Sequence, residues 1–164
     1  MSYPDPRYLG EGGEATAALR PADRPPELTG LEPGSAVHYL ATGSSTGGDY
    51  GLYRWDMSAE PSGPGPHFHR TMSEAFFVLD GAPQLYDGTG WHDAGPGDFL
   101  HVPPGGLHGF RNESGRTVSM LILFTPGAPR EAYFEGLNRF ARSGQWPEQE
   151  ELLAFFAEHD NHYV

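Results

Sequence analysis

Glycine and proline set the tightest limit on how this chain can fold. The sequence holds 23 Gly and 16 Pro among 164 residues, and between residues 31 and 127 they recur at short intervals. Proline removes a backbone donor and fixes φ, and glycine favours chain reversal. Long helices do not survive such punctuation. The segments left between the breaks are strand-length: "SAVHYLAT", "GLYRWDM", "EAFFVLD", "FLHVPP" and "TVSMLILFT". They are rich in Val, Ile, Tyr, Phe and Trp, and several alternate apolar with polar residues. Short strands at regular spacing without intervening helices predict an all-β sandwich or barrel over residues 31–127.

The two ends differ from this middle. Residues 1–30 carry Pro, Gly and charge with little periodicity, and "RPADRPPEL" contains Pro25 and Pro26, which forbid a helix. The prediction is an extended N-terminal arm, either loose or laid across a neighbouring subunit. Residues 128–164 change to a helical rhythm. Tyr133, Leu137, Phe140 and Ala141 share one helical face, with Gly144 as a stop. A second helix opens near Pro147 among acidic residues and turns Leu152, Phe155 and Phe156 to one side. Two short C-terminal helices packed on the barrel are expected. The last residues, "HDNHYV", read as a solvated end.

Charge and residue usage exclude several functions. Net charge is -12, so phosphate-backbone binding and attraction to anionic membranes are not expected. All basic residues are Arg, which removes Schiff-base and lysine general-base chemistry. Cys is absent, so there is no disulfide, thiol nucleophile or thiolate metal site. The opening lacks a basic segment followed by an apolar one, and no apolar run is long enough to span a bilayer. A cytoplasmic location is the expectation, with no membrane and no nucleic acid among the partners.

The chemistry concentrates in two segments. In "PGPHFHRTMSEAFFVLDG", His67 and His69 are two apart. On a strand such residues face the same side, so two imidazoles can converge on one ion. Glu74 has the wrong parity for the same straight strand. It joins them only if residues 70–73 turn and Glu74 opens the next strand. In "GDFLHVPPGGLHGFRN", Pro103, Pro104, Gly105 and Gly106 force a corner just before His108. That corner can bring a third imidazole to the same interior.

These two segments resemble the paired motifs of the cupin superfamily. The first motif is His-x-His, four residues, Glu, six residues, Gly, met here by His67, His69, Glu74 and Gly81. The second is Gly, five residues, Pro-x-Gly, two residues, His, three residues, Asn, met by Gly97, Pro103, Gly105, His108 and Asn112. One departure is visible: Pro61 stands where the first motif often begins with Gly, and Gly63 and Gly65 are expected to serve that turn. The resemblance implies a cupin double-stranded β-helix, a jelly-roll barrel. It also implies one divalent transition metal (Fe, Mn, Ni, Cu or Zn) held by His67, His69, Glu74 and His108, and a homodimer. Nitrogen and oxygen donors of this kind suit any of these metals and leave positions for water, dioxygen or substrate.

Parity proposes a pocket. Phe76 and Val78 share a face with Glu74, Phe110 shares one with His108, and Tyr53, Trp55 and Met120 point the same way on their own strands. Each is either cavity lining or core. The remaining histidines, His38, His92, His101, His159 and His162, are read as structural or surface residues. By resemblance to quercetinase-like cupins the expected activity is a dioxygenase acting on a small aromatic or enolizable substrate, with Glu74 as general base. A non-redox isomerase or polyketide cyclase, and a small-molecule binding protein without turnover, are the alternatives.

Overall fold

The computed structural model describes residues 2–164. Residues 2–27 contain no helix or strand. Eleven strands and two helices then follow in the order β1 (Leu28–Thr29), β2 (Ala36–Ala41), β3 (Gly51–Met57), β4 (His67–Phe68), β5 (Ser73–Asp80), β6 (Gln84–Tyr86), β7 (Trp91–Asp93), β8 (Phe99–Val102), β9 (Gly109–Arg111), β10 (Val118–Thr125), α1 (Arg130–Ser143), α2 (Gln149–Glu158) and β11 (His162–Tyr163).

One layer is a six-stranded sheet ordered β1-β2-β3-β10-β5-β8. The second is built from β7-β6-β9 and from β4-β11. Two antiparallel bridges, Ser62 with Asn112 and His67 with His108, join these parts into one curved wall. The two layers face each other as a jelly-roll barrel, and the non-consecutive strand neighbours are its crossovers.

Alternation explains which side is inside. Along β3, Tyr53, Trp55 and Met57 are buried while Leu52, Arg54 and Asp56 are partly exposed. Along β10, Val118, Met120, Ile122 and Phe124 are buried. The pairing register sets Met120 beside Trp55 and Val78, and Ile122 beside Tyr53 and Phe76. A one-residue slip would turn this whole set to solvent. Each such side chain contributes about 1.5–3 kcal/mol through burial, which fixes the register and so the place of Glu74 in β5.

The helices close the mouth of the barrel. Phe134 of α1 packs edge-on against Tyr53 and Trp55, with ring centroids at 5.1 and 5.3 Å. Its burial face includes Arg130, Tyr133, Phe134 and Asn138, so it lies deeper and more N-terminal than the stripe through Phe140 and Ala141 that periodicity suggests. Gly144 ends the helix in the left-handed conformation, its N–H donating to the Ala141 carbonyl. On α2, Phe155 stacks on Tyr133 at 5.7 Å.

The N-terminal residues attach to the barrel through Arg7, which donates to Asp49 at 2.6 Å, and through Glu27. Glu27 accepts from the Tyr39 backbone N–H at 2.7 Å and from Arg20 at 2.9 Å. Burial works to raise its pKa, but these donors outweigh burial and hold it below its ordinary 4.5. A depressed carboxylate stabilises above its ordinary pKa and loses that contribution as pH falls through the folded value. Hydrogen exchange of the Tyr39 amide is therefore expected to quicken as pH drops below about 4.5, after correction for intrinsic rates. Glu27→Gln should exchange faster at neutral pH. An amide unaffected by that substitution would refute the anchor.

Candidate metal centre

Two strands and two connecting segments bring four donors together. His67 lies in β4, His69 directly follows it, Glu74 sits at the start of β5, and His108 precedes β9. All four are buried, and their ligand-type atoms lie within 4.8 Å of one another. The turn through Arg70–Met72 between β4 and β5 supplies the parity change that lets Glu74 face the histidines. Mutual backbone bonds between His67 and His108, both 2.9 Å, lock two of the donors side by side.

The approach to this site depends on Gly63. It adopts φ +125°, and a Cβ there would meet the Phe110 carbonyl oxygen at 2.2 Å. Gly65 has open space around it and no such φ. Of the two glycines expected to replace the motif's missing one, Gly63 therefore carries the steric demand. Gly65 instead presents its carbonyl to His67.

Each imidazole is oriented by a backbone carbonyl. The Nδ1–H of His67 donates to Gly65 at 2.9 Å, that of His108 to Gly106 at 2.9 Å, and that of His69 to Asp160 at 2.6 Å. Committing Nδ1 to donation leaves each Nε2 as the free donor atom. The Nε2 atoms of His69 and His108 lie 2.8 and 2.7 Å from the same oxygen, Glu74 Oε2. In neutral rings that geometry sets two lone pairs against a carboxylate. It is stable only with positive charge among them.

A proton is one candidate and a metal ion the other. Burial opposes charging His108, but Glu74 outweighs it and raises the pKa above 6.5. Burial pushes His67 down to about 4. Glu74, despite burial that works to raise it, is held well below the usual carboxylate range by His108 and His69. The cluster thus accepts a proton but does not charge all three rings. One divalent cation would satisfy three imidazoles and the carboxylate together, so the donor set fits a first-row metal.

The site opens on a cavity of about 300 Å³. Its lining includes His67 and Glu74 from the donor set, with Trp55, Phe110, Phe124 and Phe134 among its apolar walls. Of the pocket residues proposed from parity, Trp55 and Phe110 line this space. Tyr53, Phe76, Val78 and Met120 do not: each is 0 % exposed and belongs to the packed core. Inward parity marks the barrel interior, and α1 fills the part of it over Tyr53, whose hydroxyl donates to Glu131.

The C-terminal residues correct a second expectation. "HDNHYV" is not a solvated end. β11 pairs with β4, placing His162 opposite Phe68 and Tyr163 opposite His67. Tyr163 stacks on the His67 ring at 5.3 Å. The Asp160 carboxylate accepts from the N–H groups of Arg70 at 3.0 Å and Thr71 at 2.8 Å. Asn161 is buried and donates to the Tyr133 hydroxyl at 2.8 Å. Sequence reasoning missed Asp160, Asn161, Tyr163 and Arg130. The spacing of Arg130, Phe134 and Leu137 on one helical face was the available signal for the last. The other histidines stay apart: His38 bonds Asp56 at 3.1 Å on the outer face, His92 pairs with Asp87, and His101 is exposed.

A two-layered barrel with such a donor set inside defines a class, and comparison gives it a name. Residues 54–124 match the Cupin_2 family, described as "Cupin domain". This central part of the chain is thus similar to the cupin domain. It is 30% identical over 89 residues to quercetin 2,3-dioxygenase of Bacillus subtilis (strain 168). That match covers 54% of this chain and 26% of the relative, so the chain spans about a quarter of the relative's length. Among solved structures, a predicted oxalate decarboxylase of Thermotoga maritima superposes with TM-score 0.58 at 17% identity, over 67% of this chain and 99% of that one. A sugar phosphate isomerase from a cupin superfamily, of Silicibacter pomeroyi, gives TM-score 0.50 at 25% identity, over 63% and 67%. No helix among the described residues is long and apolar enough to cross a membrane.

Proposed function

We propose that the chain is a metal-dependent enzyme that uses dioxygen to oxidise a small aromatic or enolizable substrate. The observation that carries this reading is the aromatic-walled cavity opening directly on His67 and Glu74. The similarity to a quercetin 2,3-dioxygenase supports it. A redox-active ion held by His67, His69, Glu74 and His108 would supply an electron path between a bound enolate or phenolate and dioxygen.

The chain's own residues do the rest. Trp55, Phe110, Phe124 and Phe134 hold an aromatic body and exclude water. Glu74 Oε2 is engaged with His69 and His108, so Oε1 is the atom assigned to take the substrate's hydroxyl proton. Its low pKa makes it a weak base in the metal-free protein, and proton transfer therefore needs a substrate hydroxyl that is itself acidified on binding.

Protein loaded separately with Fe, Mn, Ni, Cu or Zn is expected to consume oxygen with flavonol or catechol substrates only when the ion is redox-active. Glu74→Gln should lower that rate by about 10²- to 10⁴-fold. Product formed at equal rate without oxygen, and with Zn, would replace this reading by a non-redox isomerase or cyclase. Tight binding without product under any loading would replace it by a binding protein.

A further inference from the structure

The cavity contains a second positive group that the metal site does not explain. Arg130, the first residue of α1, is 4 % exposed and lines the cavity. It donates to the His159 carbonyl at 2.7 Å and to Asn161 Oδ1 at 3.0 Å, while its Nε–H has no partner. Among the described residues no ion pair includes it. Three rings crowd the guanidinium instead, with centroids at 4.3 Å (Tyr133), 4.8 Å (Phe124) and 5.6 Å (Phe134).

A tether between α1 and the C-terminal residues needs only neutral donors. Burying a permanent cation for that purpose costs desolvation that ring faces offset only in part. The remaining acids of the lining do not balance it. Glu74 belongs to the donor set. Glu32, also in the lining, forms no ion pair with Arg130, and its Oε2 is buried without a partner. Even with both carboxylates charged, a divalent ion together with Arg130 leaves the enclosed space with surplus positive charge. Such a field in an apolar-walled site selects an anion.

We propose that the ligand of this cavity is an organic anion: an aromatic or enolizable molecule bearing a carboxylate, with that carboxylate held by Arg130 and its apolar body between Trp55, Phe110 and Phe124. The body of the ligand rests on the functional reading above. The charge rests on Arg130 and stands apart from any turnover. Arg130 is a binding residue here, its free N–H groups matching the oxygen atoms of a carboxylate.

Phenylpyruvate and its neutral methyl ester provide the probes. Both are titrated calorimetrically into Zn-loaded and metal-free protein, wild type and Arg130→Gln, with metal content and circular dichroism recorded. The acid is expected to bind wild type tighter than the ester by on the order of 10- to 100-fold, in the metal-free protein as well. Arg130→Gln should retain its metal and lose that preference, and Arg130→Lys should keep part of it. Equal affinity for acid and ester, no binding of either at millimolar concentration, or an undiminished preference in folded Arg130→Gln overturns the proposal. If Arg130→Gln does not fold, the acid-to-ester ratio in metal-free wild type decides, because no metal is there to attract the carboxylate. Absence of oxygen uptake with the preference intact sinks the dioxygenase reading alone. Oxygen uptake on neutral substrates without the preference sinks this inference alone.

Discussion

Replacing His69 or His108 by Ala is expected to cut bound transition metal from about one ion per chain to less than about a tenth of that. The two rings are 2 % and 0 % exposed, so no solvent-side ligand replaces either without rearrangement. Each loss removes one imidazole from a four-donor set and leaves a small void beside the Glu74 carboxylate. The barrel itself should persist, because its core extends through Val37, Tyr53, Met57, Met120 and Ile122 and does not rest on one imidazole. Elemental analysis of protein reloaded with excess metal and dialysed reads the occupancy, and circular dichroism reads the fold. Wild type should also gain thermal stability on metal addition, by about 2.7 kcal/mol at a hundred times the dissociation constant. The Ala variants should gain almost none. Full occupancy in either variant would remove that histidine from the donor set.

Deleting residues 160–164 is expected to weaken metal binding by about 10- to 100-fold while leaving all four donor side chains in the chain. The deletion removes the Asp160 carbonyl that orients His69, the strand β11 that pairs with β4, and the Tyr163 ring stacked on His67. Asp160→Asn separates these effects. It keeps the backbone carbonyl but removes the charge that accepts from the Arg70 and Thr71 N–H groups. Its cost should appear as about 1–3 kcal/mol of stability, with metal affinity largely kept. Competition against a chelator measures the affinity, and denaturant unfolding the stability. A deletion that binds metal as tightly as wild type would show the C-terminal contacts to be irrelevant to the site.

The contrast between these two experiments reflects what the sequence displays. Strand positions were legible because burial imposes a period of two, and β3 and β10 carry it cleanly. The four donors were legible because their spacing and the corners around them are local. Cavity shape was not. Tyr53 and Trp55 have the same parity, yet one is capped by α1 and the other faces the cavity, a distinction set by helix packing. The Asp160 contacts were hidden for a related reason. Its carbonyl meets His69 across 91 positions, and a backbone acceptor leaves no mark in residue type. The enclosure of Arg130 by Tyr133, Phe124 and Phe134 is likewise set by packing between α1 and β10, which residue spacing does not show.

The three carbonyls that aim the imidazoles belong to Gly65, Gly106 and Asp160, and none is a side-chain group. Every amino acid carries such an oxygen. Mutational drift at these positions can therefore leave ring orientation intact wherever the new residue tolerates the local backbone path. The centre is guarded by chain geometry, and its heritable fragility is concentrated in the four donors and in sites such as Gly63 where that path admits no side chain.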